Sequence, residues 1–253
     1  MRQAVLGVPR AVSDIPAALR IARALQDTGL CLDGFARASA TPEQADEATT
    51  DHLTLLEELR KAKLAATTEL SVSLAAIGVT AEQSLANAKV ISAAAQVCGS
   101  QLTLDTTGAD VDATLAALPE LHPSTGILLP TDLARTVADC VSLADSSTRV
   151  RLVRRGTGDR HADDLRFVRC LRLLMRGEPY VMVATSDPRL LSIAAGLARQ
   201  CGRARDDWEI QLPYGEKRAS QLLGSDLRVR MTLTCGATPQ LTFWQRMARQ
   251  LQR

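Results

Sequence analysis

Aromatic residues make up only 3% of this 253-residue chain. That scarcity excludes a single-stranded nucleic-acid platform built on stacked rings. No apolar run reaches the ~18–20 residues that a membrane helix needs. The opening MRQAVLGVPRAV has no long apolar core of the signal-peptide kind, so a cytoplasmic location is the expectation. Strong charge of either sign is also missing. With 30 basic and 28 acidic residues the net charge is +2, and nothing draws the whole chain toward nucleic acid or an acidic membrane. The cysteines include no CxxC pair, which removes a knuckle-type zinc site and leaves reduced thiols as the expectation. His52, His122 and His161 stand apart, so a multi-histidine metal site has no local support.

What remains is an ordinary globular balance, 46% apolar and 23% charged, which excludes disorder for the bulk of the chain. Short β-branched runs alternate with helical patterns. Strands are expected near Leu30–Phe35, Leu70–Leu74, Gln101–Asp105, Gly126–Leu129, Val150–Val153, Tyr180–Ala184, Glu209–Leu212 and Leu227–Leu233. Amphipathic stretches include Glu43–Ala62, Ala81–Val97, Asp132–Leu143, Ala162–Arg176 and Pro188–Cys201. A helical pattern, Ser13–Asp27, precedes the first strand, and another, Pro239–Leu251, follows the last. Eight strand–helix pairs with short turns predict an α/β fold, a (βα)8 TIM-type barrel over residues 29–253. Residues 1–28 form an N-terminal helical segment ahead of it. The rival is an open doubly wound sheet, which would carry a glycine-rich turn after its first strand. The residues there, ARASATPEQ, contain no glycine.

In a barrel, function gathers where the strands end. Those ends are Asp33, Ser73, Asp105, Pro130-Thr131-Asp132, Arg154-Arg155, Ser186-Asp187, Gln211 and Thr234-Cys235. Carboxylates thus face guanidinium groups. Asp132, Asp187 and Thr238 also stand where helix caps are wanted. RRGTG, from Arg154 to Gly158, reads either as a small anion nest or as a solvated basic loop. A hard metal among Asp105, Asp132 and Asp187 and a thiol nucleophile at Cys235 are weaker readings; no metal site is expected.

The strand-end motifs, taken in order, resemble bacterial proline dehydrogenase, closest to the stand-alone actinobacterial form. CLDGFARASATPEQADEATTDHLTLLEEL is similar to the family's first strand and helix, ELSVSLAAIG to its second strand, and LTLDTTGADVDATLAAL to its third. GILLPTDLARTVADC, RVRLVRRGTG, VRCLRLLMRGEPYVMVATSDP, WEIQLPYG and LRVRMTLTCG follow in family order. The resemblance implies a terminal helix lying over the barrel mouth, FAD as cofactor, and hydride transfer from the Cα–N side of proline. It implies catalytic roles for Asp105 and Arg246. It places Arg151, Arg154, Thr185, Ser186 and Gln211 at the cofactor, and Ser73, Arg155, Thr242 and Gln245 at the substrate.

The departures fall on those positions. The family's second-strand lysine is matched by Ser73, and one of its two terminal arginines by Gln245, leaving Arg246. Its eighth-strand tyrosine is matched by Thr232, a late glutamate by Arg249, and its flavin-side glutamine by Pro130. The lysine and glycine of its fifth-strand motif are matched by Arg154 and Arg155, and the histidine after its sixth strand by Ser186. Arg151, Asp105, Asp187, Glu209, Gln211 and Gly215 are retained. A hydrogen bond to a charged group is worth about 1.5–3 kcal/mol. Losing a lysine and an arginine therefore removes about 3–6 kcal/mol of carboxylate binding, roughly two to four decades. The expectation is a divergent member acting on a small amino or imino acid other than proline. FAD-dependent oxidation, a flavin-independent non-oxidative step and a non-catalytic paralogue all stay open.

Overall fold

The structure, a computed structural model, describes residues 11–12, 14–33, 38–216, 219, 222 and 227–235. Strands and helices alternate along the chain. They run β1 (Ala11–Val12), α1 (Ile15–Ala24), β2 (Leu30–Asp33), α2 (Pro42–Lys61), β3 (Thr68–Ser73), α3 (Ala81–Cys98), β4 (Gln101–Asp105) and α4 (Val111–Ala117). Then come β5 (Thr125–Pro130), α5 (Thr136–Leu143), β6 (Arg149–Val153), α6 (Arg160–Arg176), β7 (Tyr180–Ala184), α7 (Pro188–Gln200), β8 (Trp208–Pro213) and β9 (Val229–Cys235). Strands β2 to β9 pair in sequence order, all parallel, and β9 pairs with both β8 and β2. The ring is therefore closed, as expected for a (βα)8 barrel and unlike an open sheet. The two-residue β1 runs parallel to the end of β9.

Alternation along each strand sorts the side chains. Leu70, Val72, Leu102, Leu104, Ile127, Val150, Leu152, Val181, Val183 and Ile210 join Leu55, Leu56, Ile91, Phe167, Leu171 and Leu174 of the helices in one buried apolar cluster. Full burial of such a side chain contributes about 1.5–3 kcal/mol. The main core thus lies between the barrel wall and its helical jacket. Helix starts follow their caps. Thr41, Thr80, Asp110, Asp159 and Asp187 each accept a backbone N–H from the first turn of the helix they precede.

Most expected elements lie within two residues of those observed. The clear correction is Asp132. Helix α5 begins at Thr136, with Arg135 at the cap position and no side-chain cap bond. The Thr136 hydroxyl donates to the Pro130 carbonyl at 2.6 Å, which holds residues 131–135 in a turn. Asp132 therefore caps no helix. Helix α4 has only 7 residues, too few for a periodic pattern to stand out. The expected terminal helix Pro239–Leu251, with Thr238, Thr242, Gln245, Arg246 and Arg249, lies outside the described residues.

Candidate functional site

The other parity of the strands faces into the barrel, and it is polar. Arg149 on β6 donates to Glu69 on β3 at 3.5 Å, and Gln211 on β8 reaches the same carboxylate at 3.5 Å. The Thr103 hydroxyl donates to the other Glu69 oxygen. Arg230 on β9 donates to Glu209 at 2.8 Å and to Gln101 on β4 at 3.2 Å. Gln211 and Tyr180 also donate to Glu209, at 2.8 and 2.9 Å. The Arg149 guanidinium lies 4.5 Å from the centre of the Tyr180 ring. Partners on non-adjacent strands can meet only through the lumen. Burial pushes the Glu209 carboxyl up, but Arg230 and its other donors hold it below the usual range. This network fills the lumen with matched charge.

Nearer the mouth, Arg151 on β6 spans the ring to Asp33 on β2 at 2.8 Å. The Cys31 thiol lies 3.8 Å from the same guanidinium nitrogen. The Arg151 side chain is 5% exposed, that of Asp33 30%. Arg151 Nε and Gln211 Oε1 are buried with no hydrogen-bond partner among the described residues. Buried polar atoms are normally paired, so these two stand out. Ser73 and Asp105 are register partners at the ends of β3 and β4. Asp105 Oδ1 accepts the Thr107 N–H at 2.9 Å. Across the ring, Leu128, Val153 and Ala184 form an apolar cluster separate from the main core. The mouth thus has a polar wall on β3–β4, an apolar wall on β5–β7, and an ion pair spanning the space between β2 and β6.

The loop after β6 is built differently from its expected roles. Arg154 donates through Nε and Nη2 to one oxygen of Asp164, at 3.1 and 2.9 Å. Arg189 takes the other Asp164 oxygen at 3.0 Å and also reaches Asp187, which Arg160 joins at 2.9 Å. Asp187 also caps α7, as one of its two sequence readings has it. Burial raises the Asp187 carboxyl, but hydrogen bonds from Arg189 and Arg160 outweigh it and hold the group well below the usual range. Thr185 accepts the Asp187 N–H at 3.2 Å, and Ser186 sits in the same turn. Arg155 is held through its backbone, whose N–H donates to the Thr131 hydroxyl at 3.1 Å.

These contacts test the implied FAD. The apolar wall suits a flat ring. The two phosphates of a dinucleotide need cations, and Arg151, Arg154, Arg160 and Arg189 are each paired with a carboxylate. Pro130 ends β5 with neither an amide side chain nor a backbone N–H. The described residues therefore fit a flavin's ring better than its phosphates. Among them no His/Cys/Asp/Glu cluster of metal-binding size occurs. The Cys235 thiol is pushed up to about 12 by burial, against a nucleophilic role. Glu69, Arg230, Asp163 and Asp164 are absent from the sequence reading. The signal for Glu69 and Arg230 was available, as charges inside strand patterns at the parity of Arg151 and Gln211. Beside the mouth, a cleft of about 460 Å³ lies between the loops after β3 and β4, lined in part by Ser39, Leu74, Thr80, Ser84 and Asp110.

No protein-family model matches the chain, and a search of curated proteins finds no relative. Solved structures do match. Proline utilization A (PutA) from Bdellovibrio bacteriovorus, inactivated by N-propargylglycine, is similar over 89% of this chain and 30% of its own, at 14% identity and a TM-score of 0.80. A Bradyrhizobium japonicum PutA variant is similar over 89% and 28%, at 20% identity and a TM-score of 0.71. PutA from Corynebacterium freiburgense gives 89% and 29%, 15% identity and a TM-score of 0.71. This chain spans less than a third of those proteins' length. What it shares with them is the fold, a proline dehydrogenase-like barrel.

Proposed function

We propose that this barrel binds and acts on a small amino or imino acid at its mouth, and that the acid is not proline. The observation that carries the reading is Arg151, buried, paired with Asp33 at 2.8 Å across the lumen, with its Nε lacking a partner among the described residues. A zwitterion matches such a place. Its carboxylate supplies the acceptor that Arg151 Nε lacks, in a charge-assisted bond beside the one Arg151 makes to Asp33. Its ammonium or iminium nitrogen is attracted to Asp33 and Asp105. Its carbon skeleton lies against Leu128, Val153 and Ala184. Asp105 is the group suited to hold or accept a proton from the ligand nitrogen. Ser73 offers a hydroxyl where the resembled family has a lysine, so the carboxylate is gripped less strongly than in that family.

Calorimetric titration with a panel of L-amino and cyclic imino acids tests this. One member is expected to bind stoichiometrically, with proline far weaker. Asp105→Asn should weaken that ligand at least tenfold, the scale of one hydrogen bond to a charged group. If every member fails to bind, the reading is wrong.

The apolar wall favours a second reading, flavin-dependent oxidation. A bound flavin would accept the hydride from the ligand's carbon, and Leu128, Val153 and Ala184 would back its ring. FAD is the cofactor that the resembled family implies. Its phosphates would meet cations that are already paired with carboxylates. A yellow protein with a flavin spectrum that bleaches on adding the amino or imino acid would establish this second reading.

A further inference from the structure

The cysteines share no local motif, yet the fold brings two of them together. Cys140 lies on α5 and Cys170 on α6, and these helices pack against each other. Each sits in the buried stripe of its helix, with Thr136 and Leu143 on α5 and with Phe167, Leu171 and Leu174 on α6. Both residues are 0% exposed. The Cys140 thiol donates a hydrogen bond to the Cys170 sulfur across the helix interface. That bond lowers the Cys170 thiol, and Arg169 and Arg166 on the same helix lower it further, outweighing burial. Donating the bond and being buried push the Cys140 thiol up. The other four cysteines lie on β2, at the end of α3, just past α7 and on β9. A buried cysteine by itself is a small apolar filler. A thiol that keeps its proton beside one that loses it more readily is the arrangement of a resolving and an attacking cysteine.

We propose that Cys140 and Cys170 form an oxidant-sensitive dithiol, a modification site that a small disulfide converts into a covalent link between α5 and α6. The Cys170 thiolate attacks one sulfur of the small disulfide, breaking its S–S bond and releasing one small thiolate. Cys140 then gives up its proton and attacks the Cys170 sulfur of the mixed disulfide, releasing the second small thiolate. The two protein thiols lose two electrons and two protons in all, and the small disulfide takes them up as two thiols. Both sulfurs are closed off in the folded chain, so the reagent enters when the helices part locally. Helix α5 is suited to that opening, with 8 residues and no side-chain bond at its cap. The site lies in the helical jacket and does not depend on which ligand the mouth binds.

The probe is bis(2-hydroxyethyl) disulfide, a small neutral disulfide, added to the whole folded chain at mildly alkaline pH. Remaining thiols are then blocked with iodoacetamide, and the chain is digested without reduction and mapped by mass spectrometry. One linked peptide pair joining Cys140 to Cys170 is expected, and dithiothreitol should undo it. In Cys140→Ala the link should be lost, with Cys170 left carrying the small thiol as a stable mixed disulfide. Cys140→Ser serves equally if the alanine variant does not fold, with circular dichroism confirming the fold of each. Wild type in which Cys140 and Cys170 both end alkylated, or in which each carries its own small thiol and no link forms, would overturn the inference. So would a link that joins either of them to one of the other four cysteines instead.

Discussion

Glu69 and Glu209 are carboxylates with fully buried side chains in the lumen, and each is surrounded by donors from several strands. Removing one partner of such a pair leaves an uncompensated buried charge and costs about 3–5 kcal/mol. Glu69→Gln and Glu209→Gln are therefore expected to lower stability by about that amount, read from urea unfolding midpoints at constant slope. The pH dependence has a definite sign. Glu209, Asp163 and Asp187 titrate below their ordinary ranges in the folded chain. Their stabilisation is complete above the unfolded carboxylate pKa and is lost as pH falls through the folded values. Melting temperature should fall steeply below about pH 4.5, and Glu209→Gln should flatten that slope. Equal slopes in variant and wild type would refute the coupling. At this scale the sequence was partly legible. Arg151, Asp105 and Gln211 stand out by resemblance, and strand alternation puts them on one face. Asp33 and Glu209 stand out singly but not as the partners of Arg151 and Gln211, and Glu69 does not stand out at all. Which carboxylate answers which arginine across a barrel depends on closure and register, and neither is a local property of the chain.

Among the elements, β5 shows how closely strand and neighbour are fitted. Gly126 faces Arg149 in register on β6. A Cβ there would lie 2.6 Å from the Arg149 carbonyl oxygen and 2.8 Å from its Cβ. Backbone cannot yield as a flexible side chain does, so Gly126→Ala is expected to cost about 1–3 kcal/mol, the scale of overpacking. Thermal denaturation checks it, and an unchanged midpoint would show that the strand pair relaxes freely. Gly78 has the same tightness at the turn before α3, where a Cβ would meet the Ser84 amide nitrogen at 2.3 Å. Strand positions were readable because β-branched runs are bounded by turn residues. The start of α5 was not, because Asp132 has the composition of a cap while the Thr136–Pro130 hydrogen bond keeps the chain turning past it. The loop after β6 has the same lesson: RRGTG has the residues of a nest, and only the fold shows that Asp163 already lies in it.

For the whole molecule, the closed eight-stranded barrel shared with the PutA structures carries charges that answer one another. No helix among the described residues is long and apolar enough to cross a membrane. The account rests on one claim, that the mouth receives a small zwitterion. The direct test is calorimetric titration of the purified protein with the panel of L-amino and cyclic imino acids. The account predicts that one member binds stoichiometrically, far more tightly than proline, and that Asp105→Asn weakens it at least tenfold. A panel in which no member binds, or in which proline binds most tightly, would contradict it.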